Sequence, residues 1–311
     1  MKKRRHHYLP QFYLRNFVGK NPTGKLWVYT KDAEDFRAAS PRDLAVEKDY
    51  HTVVRRDGVI DRKSIEDTVA VLENMAAPVI KKVLRGEGLS FDDHQIFALF
   101  ISQLLVRVPV RRDAVGRIMS EIFKRMSKAF AENKESYHDD YQRFQKETGD
   151  ESDVDPEKLR EFILSDDYDI KVNSSAALGA SLGSIGTVVN CLVRMRWVFV
   201  RASGRFKFLT CDNPVFYYDP TLPPNSWRAA GLADARVEVT CPLSPDILAF
   251  GCYHNVPSNS AVADPEIVRR FNQQRIESAH RYIFACEGSA ALQRFIRRNN
   301  DATSPVKPYV R

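Results

Sequence analysis

Arg5-His6-His7-Tyr8 sets two imidazoles between a cation and a phenol, and Pro10-Gln11-Phe12-Tyr13 follows almost at once. Groups that titrate near neutral pH, amide donors and flat stacking surfaces therefore lie within one short stretch, as a phosphate- or nucleotide-handling site requires. Far along the chain, Thr210-Cys211-Asp212-Asn213-Pro214 puts a carboxylate and an amide on a proline-shaped turn after an extended segment. Asp212 there can bind a divalent metal together with His7, act as a base, or orient His7. The competing reading is an Asx turn that satisfies its own backbone. His7 divides in the same way, between acid–base or metal chemistry and a hydrogen-bonded structural histidine. In an extended chain His6 and His7 point apart, so they do not ligate one ion together.

The middle of the chain adds charged partners. Glu66 and Glu73 lie a heptad apart in a helical pattern, which brings both to a similar side. Gln103 and Arg107 are four residues apart on another helix, and Arg111 follows the bend at Pro109, so two guanidinium groups can converge on a phosphate or a carboxylate. The competing arrangement is an internal ion pair from these arginines to Glu66 or Glu73. The expected catalytic residues are His7, Asp212, Asn213 and Glu73. Tyr8, Gln11, Gln103, Arg107 and Arg111 are the expected substrate contacts, and His7 with Asp212 the expected ligands of a divalent metal.

Known signatures narrow the field. There is no Gly-x-x-x-x-Gly-Lys phosphate loop, no Gly-x-Ser-x-Gly elbow and no His-Glu-x-x-His helix. Gly179, Gly183 and Gly186 fall inside a predicted helix, where packing explains them better than a cofactor. Tyr8, Phe12, Tyr13 and Phe17 have the spacing of a packed amphipathic helix as well as that of a base-stacking platform.

The run from Arg5 to Phe17, taken with Thr210-Cys211-Asp212-Asn213-Pro214, resembles the DUF4238 family of bacterial proteins. Glu66, Glu73, Gln103-x-x-x-Arg107-x-Pro109-x-Arg111 and Pro242-Leu243-Ser244-Pro245 extend the resemblance over nearly the whole chain. It implies that these positions form a shared signature, and it implies no activity. Cys211 stands where the family pattern has a serine, which weakens any mechanism built on a hydroxyl nucleophile there.

Several elements must position these groups. A short helix is expected near Gln11 to Phe17, a strand at Leu26 to Thr30 after the Asn21-Pro22-Thr23-Gly24 turn, and an extended piece at Tyr50 to Val54 before the Arg55-Arg56-Asp57-Gly58 turn. Helix begins at Ser64, with Pro78 interrupting or kinking it. Ser90-Phe91-Asp92-Asp93 reads as the cap of the next helix, which Pro109 breaks. An amphipathic helix over about Val115 to Phe130 follows. The charged segment 134–158, with Asp150, Glu151, Asp153 and Asp155, is expected to be an exposed excursion. Strands are expected at Trp197 to Val200, Phe206 to Thr210, Val237 to Thr240 and Ile247 to Phe250, then helices at Pro265 to Ile283 and Ala290 to Arg297. The fold class is α+β: a single compact domain over 1–311, with a central helical bundle and a small, mainly antiparallel sheet built from N- and C-terminal strands.

Composition bounds the function. The chain has 311 residues, 43% of them hydrophobic, and a net charge of +7, so it supports a sizeable core and leans toward anionic partners. Its five cysteines make no Cys-x-x-Cys pair, which argues against zinc clusters and a disulfide framework. The polar, aromatic start is unlike a signal peptide. Asn173 to Val193 is uncharged, but its serines, asparagines and glycines point to a helix buried in a soluble core, with Ala176, Gly179, Ala180, Gly183 and Thr187 forming a thin face for a second helix. A cytoplasmic protein with no membrane partner is expected. The leading functional expectation is a nuclease or other phosphodiester-directed hydrolase acting as a defence effector on nucleic acid or a nucleotide. The alternative is a non-enzymatic nucleotide- or protein-binding module, and a homo-oligomer is a further expectation.

Overall fold

The computed structural model describes residues 5–19, 23–33, 35–54, 59–61, 63–149, 154–223 and 230–300. The Arg55–Gly58 turn, Asn21 and Pro22, and Asp150, Glu151 and Asp153 lie outside them. The N-terminal third runs β1 (Arg5–His7), α1 (Gln11–Arg15), β2 (Leu26–Thr30), β3 (Phe36–Ala39), a 3-10 turn (Pro41–Asp43), β4 (Val46–Lys48), β5 (Val53–Val54) and β6 (Ile60–Asp61). Helices follow: α2 (Ser64–Arg85), α3 (Phe91–Val106), α4 (Pro109–Glu132), α5 (Lys134–Thr148), α6 (Pro156–Ser165), α7 (Ser174–Gly183) and α8 (Ile185–Leu192). The remainder is β7 (Arg196–Ala202), β8 (Thr210–Cys211), β9 (Phe216–Tyr218), β10 (Glu238–Pro242), β11 (Ile247–Cys252), β12 (Ser260–Ala263), α9 (Pro265–Ser278), β13 (Tyr282–Ala285) and α10 (Ala290–Asn300).

The architecture is mixed helix and sheet with several small sheets, in place of the expected helical bundle with one sheet. One sheet has the order β3-β2-β13-β8, entirely antiparallel, and joins N-terminal to C-terminal strands. The other is β12-β7-β11-β10-β9, antiparallel except for the parallel β12–β7 pair. Aromatic packing sets two glycines: a Cβ on Gly251 would lie 2.9 Å from the Trp197 ring, and one on Gly288 2.6 Å from Trp27. The central helix is α3, whose residues 100–106 are all buried. Its Phe97 meets Trp197 and Phe199 edge-on at 5.0 and 5.5 Å, tying helix to sheet.

Helix boundaries follow local chemistry. Ser90 and Asp93 form a reciprocal capping box at the start of α3. Pro109 occupies the first turn of α4, where a missing amide costs nothing. Pro78 does not end α2, which runs through it to the left-handed Gly86. The described residues of segment 134–158 are largely helical, capped by Asn133 and Asp155, and Glu157, which accepts from His138 and pairs with Lys134, fastens α6 to α5.

The expected buried helix at 173–193 is corrected. Ser174–Leu192 is the one apolar stretch among the described residues long enough to cross a membrane, yet only 22% of it is buried. The packing face is Ala177, Leu178 and Ser181, and Gly116 of α4 allows the close approach, with a Cβ there 3.4 Å from that of Ala177. Gly179 and Gly183 meet nothing within 4 Å. The thin face read from the sequence is thus turned outward.

Candidate functional site

The two carboxylates of α2 define the site. Glu66 and Glu73 sit two turns apart, about 10 Å along the axis, and both line a cleft of about 160 Å³ with Val69, Ala70, His7 and Gln11. β1 and α1 supply the opposite wall. β1 pairs with β4 in the register His6↔Glu47 and His7↔Val46, which sends His6 inward and leaves His7 half-buried at the cleft. His7 Nε2 donates to the Arg42 carbonyl at 3.0 Å, so the 3-10 turn fixes its ring.

Each carboxylate is held from behind. Arg107, at the C-terminal end of α3, donates through Nη2 to Glu73 Oε1 at 2.9 Å and through Nε to the Tyr8 carbonyl at 3.0 Å. One buried guanidinium therefore joins α2 to the N-terminal arm. Tyr50 closes the group by donating its hydroxyl to the Arg107 carbonyl at 2.7 Å. At the other end of the cleft, His51 Nδ1 donates to Glu66 Oε2 at 2.8 Å, and the His51 amide donates to His6 Nδ1 at 2.9 Å. The rings of His6 and His51 stack with centroids 5.3 Å apart.

Burial lowers His51 below its ordinary value, with Arg107 acting in the same direction and the Glu66 hydrogen bond opposing. The ring is therefore neutral near pH 7, with its proton on Nδ1 and a lone pair on Nε2. That Nε2 is buried and has no hydrogen-bond partner among the described residues, as is true of Arg107 Nη1 and both amide atoms of Gln103. Burial also pushes the Tyr8 hydroxyl up, and the nearby Asp212 charge adds to it.

The structure brings His7, Gln11 and Glu73 to one cleft, with Arg107 and the Tyr8 backbone behind it. Gln103 is buried one turn before Arg107. Arg111 is directed elsewhere: its Nη2 donates to the Tyr217 hydroxyl at 3.0 Å. Asp212 and Asn213 do not line the cleft. The Asp212 carboxylate accepts from the amides of His280, Arg281 and Tyr282 at 2.8, 2.8 and 2.9 Å. Burial pushes this carboxyl up, against three amide donors that favour the anion. Asn213 donates to the Ser278 carbonyl at 2.9 Å. Asp212 thus shapes the turn between α9 and β13, which corrects the expected helix over Pro265 to Ile283: Ile283 is a strand residue opposite Tyr29 and Cys211. Of the expected His7/Asp212 metal pair, only His7 lines the cleft, and the Asp212 carboxylate is held by the three amides.

Sequence reasoning left Glu66, His51 and His6 out of the site. The Glu66/Glu73 heptad carried a signal for the first. Nothing local marked His51, whose partners arrive from β1 and α2. Donor atoms of His6, His51 and Glu66 lie within 4.8 Å of one another.

A family model described as "Protein of unknown function (DUF4238)" matches residues 5–289. No curated protein and no solved structure matches the chain.

Proposed function

The chain belongs to the DUF4238 family, and from that premise we propose that it is a phosphodiester-directed hydrolase whose site is the α2 cleft. The observation that carries this reading is the pair of carboxylates in one cleft, each fixed by a buried base: Glu73 by Arg107 and Glu66 by His51. Side chains held this way stay ordered before substrate arrives, which proton transfer and positioning both need. About 10 Å of axial separation lets the two carboxylates address opposite sides of a substrate. Glu66 serves as the base that activates water, and His7 and Glu73 hold the leaving side. His51 and Arg107 are positioning residues.

An anionic substrate needs a cation at the rim. Arg107 and Arg111 are committed to protein partners, whereas Arg15 is exposed and reaches Gln11 Oε1 through Nη2 at 3.3 Å. Arg15 and Gln11 together are the substrate contact in this reading, and the net charge of +7 favours nucleic acid or a nucleotide. A defence role in the cytosol is part of this proposal. Incubating the full chain with labelled RNA and single-stranded DNA, with Mg²⁺, Mn²⁺ or Zn²⁺, tests the reading. Cleavage by wild type that is lost in Glu66→Gln supports it, and a folded wild type that cuts nothing ends it.

A different surface favours the binding-module reading. Ile118, Ile122, Met126 and Phe130 recur every four residues on α4 and are all exposed. A second copy of the chain would cover this face, and the mass in solution tests that: a monomer at all concentrations removes the homo-oligomer.

A further inference from the structure

We propose that His6, His51 and Glu66 form a transition-metal site at the Glu66 end of the cleft, for an ion of the Zn²⁺ class. Two imidazoles and one carboxylate are a donor set that borderline divalent ions take readily. The three residues come from different parts of the fold, β1, the loop before β5 and the first turns of α2, and their donor atoms still fall within 4.8 Å of one another. Bonds of about 2.1 Å give a tetrahedral edge near 3.4 Å, so the group closes on an ion with a shift of about 1 Å. Glu66 is a quarter exposed and can make that movement, while both histidines are packed.

The contacts fix the donor atoms. Glu66 Oε2 lies 2.8 Å from His51 Nδ1, so Nδ1, on the side that faces Glu66, is the His51 atom that binds the ion, and the ring's proton moves to Nε2, which points away from Glu66. The His6 and His51 ring centroids are 5.3 Å apart, close to the spacing of two imidazoles about one tetrahedral ion. His6 joins by releasing the His51 amide from Nδ1, an exchange of one hydrogen bond for one metal bond. Glu66 faces the cleft, which gives the ion its entry path and leaves room for water as a further ligand.

The site goes beyond the hydrolase reading, and the two fail separately. Binding without turnover retires the hydrolase alone, and turnover undiminished in chelator retires the metal as its cofactor. The test loads the chelator-stripped full chain with Zn²⁺ and with Co²⁺, then measures bound metal by mass spectrometry and the Co²⁺ visible spectrum. One equivalent per chain is expected, falling at least tenfold in His51→Ala and in Glu66→Gln. Because a substitution at His51 can unfold the chain, Cu²⁺-loaded wild type is measured in parallel by electron paramagnetic resonance, where nitrogen hyperfine splitting is expected. Less than a tenth of an equivalent bound to wild type, no nitrogen splitting, or undiminished binding by a folded His51→Ala would overturn the proposal.

Discussion

Arg107 and Glu73 meet between α3 and α2 at 2.9 Å, and the guanidinium making that contact is 1% exposed. It also holds the Tyr8 carbonyl, so the ion pair and the attachment of the arm are one structure. Coupling between the two charges should therefore be measurable. A double-mutant cycle with Arg107→Gln and Glu73→Gln, followed by urea denaturation, is expected to give a coupling energy of about 1–3 kcal/mol. Arg107→Gln is expected to be the more damaging single change, since it also strips the Tyr8 carbonyl of its donor. Coupling near zero would mean that the Arg107–Glu73 ion pair adds nothing to stability.

Asp212 should prove to be a fold residue. Asp212→Ala leaves three amides without their acceptor and is expected to cost about 3 kcal/mol or more. Asp212→Asn keeps one oxygen and should fall between the two. Any cleavage activity should track the folded fraction in both variants. A folded Asp212→Asn protein with its activity abolished would contradict this assignment.

Acid should weaken the protein through His51. Burial holds the folded His51 below the ordinary value of 6.5, so the unfolded chain binds more protons between those two values and stability rises with pH. The contribution is complete above about pH 6.5 and is lost as pH falls below it. Chelator-treated wild type is expected to melt progressively lower from pH 7 to pH 5, and His51→Gln to flatten that decline. His6, Glu66 and Arg107 stay in place in this comparison, so a parallel decline in both proteins would assign the effect elsewhere.

Two glycines should respond with opposite signs. Gly288→Ala drives a methyl to 2.6 Å from the Trp27 ring and is expected to cost about 1–3 kcal/mol. Gly179→Ala meets nothing within 4 Å on an exposed helix and is expected to add about 0.5–1 kcal/mol. Thermal melts of the two variants check the outward orientation assigned to α7. Destabilisation by Gly179→Ala would place that face in the core.

Much of this was legible where chemistry is local. The Ser90/Asp93 cap, the start of α4 at Pro109 and the strand at Leu26–Thr30 are all announced by neighbouring residues. Glu66 and Glu73 share the cleft because a heptad returns to one helix face. What escaped depends on distant partners. Ile283 falls in an apolar series with Phe271 and Ile276, and its strand state comes from distant partners: Asp212 holds the turn before it, and β2 and β8 pair with Tyr282–Ala285. His51 gains its meaning from His6 and Glu66, and periodicity cannot report such a meeting. The helices at 174–192 misled for another reason: small apolar residues read as core, although neighbouring elements cover only one side of them.

The most direct measurement is cleavage of a fluorescent RNA and a fluorescent single-stranded DNA by wild type and by Glu66→Gln, with equal folding verified by melting. Wild type is expected to cut at least one of them, and Glu66→Gln to be slower by about 10²–10⁴-fold, the loss typical of removing a positioned acid or base. Equal rates in two equally folded proteins, or no cutting by wild type with any of the three ions, would contradict a hydrolytic α2 cleft.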